Sequence, residues 1–367
     1  MKLERVIISG GGTGGHIFPA LAIAEAIRQN SPGADILFVG ANGRMEMEKV
    51  PAAGYRIVGL DITGIRRSLS LSNLAFPFRL LTSIGKARRV VREFNPQVVV
   101  GTGGFASGPT LYAASGLGIP TVIQEQNSFP GITNKWLAKR AARICVAYPG
   151  LEAFFPKEKI KMTGNPVRHS IEHNKTTRAE GAAHFSLDPA KKTVFIYGGS
   201  LGALNVNHGA MNALESLAAQ DIQVIWQTGT GYLEKALAYV AAKSFASVRV
   251  TAFVERMDAA YACADLVVCR AGAISVSEIC IGKLAAVLVP LPTAAEDHQT
   301  KNAQALAGRD AAVLLSNAEA PEKMGALITG LLADEARLKK LRTGASAMAV
   351  HRSAEMIVAE IIQLIQA

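Results

Sequence analysis

The chain has 367 residues, 49% of them hydrophobic and 19% charged, with a formal net charge of +10. That length exceeds one core and predicts two domains of roughly 150–200 residues each. No apolar run approaches the ~20 residues of a membrane-spanning helix, and the surplus of cations predicts an anionic partner: nucleic acid, an acidic lipid surface or a phosphorylated substrate. Lys2, Glu4 and Arg5 lead straight into a strand, unlike a secretory leader. Cys145, Cys263, Cys269 and Cys280 lack C-x-x-C spacing and read as reduced, buried thiols of a cytoplasmic protein.

The first predicted strand, 5–9, feeds a loop of five glycines around Thr13, and His16 stands where that loop becomes a helix with apolar Leu21, Ile23, Ala24 and Ile27. Glycines let backbone N–H groups approach an anion, and a helix start adds a positive dipole end. This is a phosphate-handling turn with a titratable imidazole beside it. Gly10-x-Gly12-x-x-Gly15 matches the dinucleotide fingerprint, which also needs an acid at the end of the second strand. That strand, 36–39, runs into Gly40, Ala41 and Asn42, while Asp35 precedes it. No Gly-Lys-Ser/Thr follows either. A nicotinamide cofactor and a Walker site are therefore not expected.

From Ile65 to Arg92 large apolar residues (Leu69, Leu74, Phe76, Phe78, Leu80, Leu81) mix with cations (Arg66, Arg67, Arg79, Lys86, Arg88, Arg89), and Lys135, Trp136, Lys139 and Arg140 add more. Apolar side chains with flanking cations suit an anionic membrane surface. Phe76, Phe78, Arg79 and Trp136 are the membrane candidates, whereas Leu80, Leu81 and Ile84 also fit the core side of an amphipathic helix. Further strands are predicted at 98–101, 121–124 and 144–147, then at 193–197, 224–227, 248–252, 266–269 and 286–289. Glycine loops recur at Gly101–Phe105 and at Gly198–Ala203. The βα rhythm predicts an α/β protein of two doubly wound parallel sheets. A boundary near Gly164-Asn165-Pro166 divides it into 1–165 and 166–349, and a last helix of about 350–367 packs back on the first domain. Ligands of such sheets bind at strand C-termini, so two sheets facing a cleft would offer glycine loops on both walls.

Seven motifs occur in one order: Gly11-Gly12-Thr13-Gly14-Gly15-His16, Gly101-Thr102-Gly103-Gly104-Phe105, Gln124-Glu125-Gln126-Asn127, Gly164-Asn165-Pro166-Val167-Arg168, Gly198 to Ala203, Arg270 to Ala273 with Glu278, and Asp297-His298-Gln299 with Asn302. Together they resemble the MurG family of bacterial N-acetylglucosaminyltransferases, in glycosyltransferase family 28, over nearly the whole chain. The resemblance implies the glycosyltransferase-B fold, two Rossmann-like domains around a deep cleft. It implies inverting transfer of N-acetylglucosamine from UDP-N-acetylglucosamine to the 4-hydroxyl of the N-acetylmuramyl-pentapeptide of lipid I, an undecaprenyl diphosphate, giving lipid II for peptidoglycan synthesis. Location at the cytoplasmic side of the cell membrane follows, peripheral, with other cell-wall and division proteins as further partners.

The resemblance also distributes roles. Thr13, Gly14, Gly15, Asn127, Arg168, Ser200, Val254, Ala273, Ile274, Ser275, Glu278, Gln299 and Asn302 would bind the donor, Ser200 at the diphosphate and Glu278 at the ribose. Gly14, Gly103 and Gly104 would hold the acceptor diphosphate. From sequence alone Asn127 is equally a loop cap, Glu278 a solvated helix acid, Gln299 and Asn302 surface amides, and Arg168 an interdomain cation. His16 is the candidate general base, with a purely positional role as its rival; Glu125 is the alternative base. An ordinary histidine titrates near ~6.5 and is largely neutral at cellular pH. No Asp-x-Asp motif is present, so no metal or cofactor is expected, and helix N-termini and glycine amides would stabilise the diphosphate. His298 and Ala271 depart from residues found in some members. His169-Ser170-Ile171-Glu172-His173 matches H-x-x-E-H but reads as an exposed linker helix. No nucleic-acid module accompanies the positive charge, so nucleic acid is not expected as a partner. The rival readings are a binding protein without catalysis, against which His16, Ser200, Glu278 and Gln299 argue, and a transferase acting on a glycolipid or a soluble aglycone.

Overall fold

A computed structural model describes residues 3–63, 76–294 and 297–366. The chain divides into two compact units, Met1–Arg168 with Arg352–Ala367, and His169–His351.

The first unit is a seven-stranded sheet of β1 (Arg5–Gly10), β2 (Asp35–Ala41), β3 (Arg56–Leu60), β4 (Val98–Gly103), β5 (Thr121–Glu125), β6 (Arg143–Val146) and β7 (Ile160–Met162). Its order is β3-β2-β1-β4-β5-β6-β7, with every neighbouring pair parallel. The central strands carry unbroken Val/Ile runs because helices cover both of their faces. On one face the helix Gly14–Asn30 lays Ile17, Ile23 and Ile27 on Val6, Ile8, Val98 and Val100. The terminal helix Ser353–Gln366 joins that layer through Ile357, Val358 and Ile361. Each such side chain stabilises by about 1.5–3 kcal/mol when fully buried, which is what returns the end of the chain to the first unit. On the other face lie the helices Phe76–Phe94, Ser107–Ser115 and Ile132–Leu137, through Ala87, Val91, Leu111 and Leu137.

The second unit repeats the plan with β8 (Thr193–Tyr197), β9 (Gln223–Gln227), β10 (Val248–Thr251), β11 (Leu266–Cys269), β12 (Ala286–Leu288) and β13 (Val313–Leu314). Its parallel order is β10-β9-β8-β11-β12-β13. The helices Leu204–Ala219 and Ala320–Ala333 cover one face, with Val206, Leu214, Met324 and Ile328 buried against Val194, Val224 and Trp226.

In each sheet the winding reverses between two adjacent strands, β1 and β4 in the first unit and β8 and β11 in the second. A crevice opens beyond the carboxyl ends of such a pair. The loops after these four strands are the glycine and small-residue loops singled out in the sequence. At the first crevice the ladder slips: Ser9 pairs with Gly101, but Gly10 pairs with Gly103. Thr102 is the surplus residue, and its hydroxyl donates to the His16 carbonyl at 2.8 Å. The slip thus ties the end of β4 to the first turn of the helix Gly14–Asn30.

Candidate active site

Contacts from both sides of the loop hold His16. Its backbone carbonyl takes the Thr102 hydroxyl; its Nδ1 lies 3.1 Å from the Gly11 carbonyl and 3.3 Å from Thr13 Oγ1. A carbonyl oxygen can only accept, so the Gly11 contact calls for a hydrogen on Nδ1, and in the neutral ring the lone pair is then on Nε2. The ring lies over Gly103: a Cβ there would sit 2.8 Å from His16 Cδ2 and 3.0 Å from Nε2. Gly103 also has φ of +100° and Gly104 +90°, conformations that side chains disfavour. Gly14 and Gly15 begin the helix, where the first N–H groups have no carbonyl a turn earlier to accept them.

An acid that no sequence motif marks shares this loop. Glu46 is 1% exposed. Its Oε2 accepts Gly12 N–H at 2.8 Å and its Oε1 accepts Ala41 N–H at 3.0 Å. The carboxylate occupies the space that side chains at Gly11 and Gly40 would fill. An acid does therefore reach the end of β2, but it is turned inward onto the glycine loop. Asp35 opens β2 and pairs with Arg56 at 2.8 Å.

At the end of β5, Glu125 is buried and accepts four hydrogen bonds: from Asn127 N (3.0 Å), Asn127 Nδ2 (3.2 Å), Gly131 N (3.2 Å) and Asn134 Nδ2 (2.8 Å). Asn127 is half-buried at the edge of this network. Behind it, buried amides join three of the sequence motifs: Gln126 Nε2 donates to the Thr102 carbonyl at 2.7 Å, and Asn165 Nδ2 to the Gln126 carbonyl at 3.0 Å. Arg168 lies in the first unit, its guanidinium 4.2 Å above the ring of Phe18, one half-turn beyond His16.

In the second unit, the loop Gly198–Ala203 turns through Gly199 (φ +92°) and Gly202 (φ +78°) before the helix Leu204–Ala219. Ser200 is half-buried on it. Gln227, at the end of β9, donates from Nε2 to the Gly199 carbonyl at 2.9 Å and accepts Val254 N–H on Oε1 at 2.8 Å. One amide thereby orders two loops, and Val254 N–H is already engaged. Gly272 precedes the helix Ala273–Ile281, which carries Ala273, Ile274, Ser275 and Glu278. Gln299 accepts Leu291 N–H at 3.0 Å, and fully buried Asn302 donates to the Ala271 carbonyl at 3.2 Å. The two amides share the helix His298–Ala307, and in these bonds they brace the loops after β12 and β11.

Glu278 is 2% exposed. Its Oε2 accepts the Tyr261 hydroxyl at 3.0 Å, and Tyr261 lies 2.8 Å from the Tyr197 hydroxyl. This pair was not singled out in the sequence. Burial pushes both phenols well above their ordinary range, and it pushes the Cys269 thiol beside them up to about 12.

In the first unit the helix Phe76–Phe94 exposes Phe78 (72%) and Leu81 (67%), and the helix Ile132–Leu137 exposes Ile132 (77%) and Trp136 (51%). Leu81 thus turns away from the core, Phe76 is half-buried, and Arg79 is exposed beside Phe78. The stretch 65–75 falls outside the described residues. Trp136 stacks on Tyr112 with ring centroids 5.1 Å apart. Among the described residues no helix is long and apolar enough to cross a membrane, and no cluster of three or more His, Cys, Asp or Glu residues is arranged to hold a metal. In the H-x-x-E-H segment, Glu172 accepts from or pairs with His351 at 2.9 Å and the rings of His169 and His173 stack.

Two family models match this chain: the glycosyltransferase family 28 N-terminal domain at residues 6–146 and the glycosyltransferase family 28 C-terminal domain at 193–358. The chain belongs to glycosyltransferase family 28. Its two Rossmann-like units are those of the glycosyltransferase-B fold. A family 28 relative from Parabacteroides distasonis is 49% identical over 365 residues, covering 100% of this chain and 99% of its own. One from Phocaeicola vulgatus is 50% identical over 361 residues, covering 98% and 96%. Both are named UDP-N-acetylglucosamine--N-acetylmuramyl-(pentapeptide) pyrophosphoryl-undecaprenol N-acetylglucosamine transferase. The crystal structure of MurG from Acinetobacter baumannii superposes with a TM-score of 0.74 at 31% identity, covering 98% of this chain and 99% of that one.

Proposed function

We propose that this family 28 enzyme transfers N-acetylglucosamine from UDP-N-acetylglucosamine to the 4-hydroxyl of the N-acetylmuramyl-pentapeptide of lipid I, with inversion, giving lipid II. The names of relatives that match end to end supply the substrates. The observation that carries the chemistry is His16, whose Nδ1 is held by the Gly11 carbonyl so that Nε2 bears the lone pair. In the reaction Nε2 takes the proton from the acceptor hydroxyl as its oxygen bonds to the anomeric carbon, and the bond from that carbon to UDP breaks. General base assistance of this kind contributes roughly 10²–10⁴-fold. Glu125 already accepts four hydrogen bonds, so it orders Asn127 and the loop to Asn134 rather than competing as base.

The departing UDP gains negative charge on its diphosphate. Ser200, the amides of the loop Gly198–Ala203 and the dipole of the helix Leu204–Ala219 receive it. Glu278 binds the ribose hydroxyls; Val254, Ala273, Ile274 and Ser275 border the nucleotide; Gln299 and Asn302 serve the sugar, Asn302 by holding the Ala271 loop. Gly14, Gly103 and Gly104 face the acceptor diphosphate, with Thr13, Gly15 and Asn127 at the donor sugar. Arg168 contributes positive charge from its place on Phe18.

Lipid I cannot leave the bilayer, so the enzyme binds the cytoplasmic membrane surface peripherally. Phe78, Leu81, Ile132 and Trp136 dip among headgroups, Phe76 stands at the edge of that patch, and Arg79 and its neighbouring cations each add ~1 kcal/mol near anionic lipid. The decisive test is incubation with labelled UDP-N-acetylglucosamine and a lipid I analogue. Labelled disaccharide on the lipid is expected; transfer only to a simple glycolipid or a soluble aglycone, or no transfer at all, would overturn the assignment.

A further inference from the structure

We propose that Tyr261 is a positioning residue that sets the orientation of Glu278 for the donor ribose, an inference that rests on the reading of Glu278 as the ribose-binding carboxylate. Glu278 projects from the helix Ala273–Ile281, Tyr261 from the helix Met257–Cys263 and Tyr197 from the end of β8. All three side chains are buried. Tyr261 O–H donates to Glu278 Oε2 at 3.0 Å, and the Tyr197 hydroxyl lies 2.8 Å behind it. The ring of Phe195 packs with its centroid 4.8 Å from that of Tyr197 and 5.9 Å from that of Tyr261, so both phenols sit within one buried aromatic cluster.

A carboxylate binds two adjacent hydroxyls well only when its plane is set, because both of its oxygens must meet their partners in line. On a helix, a glutamate has several staggered rotamers to choose from. A phenol donating to one oxygen from beneath removes that choice before the nucleotide arrives. Burial raises both tyrosines well above their ordinary range, so the proton needed for this bond stays in place throughout the physiological range. The chain Tyr197–Tyr261–Glu278 is thus a row of hydroxyls backing one carboxylate, and Tyr197 acts one step further out.

The test compares binding of UDP and 2′,3′-dideoxy-UDP to the full-length protein and to Tyr261→Phe by titration calorimetry. Wild type is expected to prefer UDP by about 10–100-fold, the range for a hydrogen bond to a charged group. In Tyr261→Phe, UDP affinity should fall about 5–20-fold while 2′,3′-dideoxy-UDP, which has no hydroxyl for Glu278, changes less than about twofold, so that discrimination collapses. An equal loss for both ligands would show a structural role and overturn the inference while leaving the ribose reading intact. A wild type that binds both ligands equally would overturn the ribose reading itself. Tyr197→Phe provides the second variant if Tyr261→Phe does not fold: it should reduce discrimination by a smaller factor, and unchanged discrimination would count against the hydroxyl chain.

Discussion

Gly103 carries two constraints at one Cα. Its φ of +100° disfavours a side chain, and a Cβ there would press on the imidazole of His16 at 2.8 Å. Gly118 offers a control, since its φ is +76° and a Cβ there meets nothing within 4 Å. Both Gly→Ala substitutions should destabilise by about 1–3 kcal/mol through backbone strain. Only Gly103→Ala moves the ring, and a displacement of this kind costs turnover roughly 100-fold. Melting curves and kcat measured side by side check the distinction; a Gly118→Ala loss of activity as large as that of Gly103→Ala would contradict it. The glycines and His16 were legible because their types are rare at such spacing. Glu46, Gln227 and Tyr261 were not. Each acts through a backbone group or another side chain brought near by folding, as when Glu46 reaches Gly12, and nothing local in the sequence marks such a partner.

The elements that the sequence missed share a position. β3, β7 and β13 are edge strands of their sheets. Interior strands such as β4 and β11 are buried along their whole length and announce themselves as apolar runs. β7, Ile-Lys-Met, has no fully buried residue and β13 has two residues only. One paired edge supplies too little burial to demand a recognisable run. Leu81 has a local cause: in the helix Phe76–Phe94 the buried stripe is Ser83, Ala87 and Val91, flanked by partly buried Leu80, Val90 and Phe94, and Phe78 and Leu81 lie away from it. A small-residue seam against the helix Ser107–Ser115 leaves Phe78 and Leu81 outward. Replacing both with Ser should therefore leave folding intact and weaken binding to vesicles containing anionic phospholipid by about 10-fold or more. Flotation of wild type and the double variant measures this, and unchanged binding would remove the patch from the membrane-facing role.

At the scale of the molecule, one strand plan is used twice, with different residues at each switch point. In the first unit the plan ends in His16, Glu46 and the Glu125 network; in the second it ends in Ser200, Gln227 and the backed carboxylate of Glu278. The repeat was legible because the glycine loops after β1, β4 and β8 follow apolar runs. The division of labour was legible mainly through the family resemblance, since amides such as Asn302 look solvated in sequence yet are fully buried in the fold. Catalysis depends most on the imidazole at the first switch point. The pH dependence of kcat/KM for transfer to a lipid I analogue, in wild type and in His16→Ala, tests it directly. Wild type should show a limb on which activity rises with pH as the base loses its proton. His16→Ala should fall about 10²–10⁴-fold and lose that limb. A variant that keeps the limb unshifted, whatever its rate, would contradict the assignment of His16 as the base.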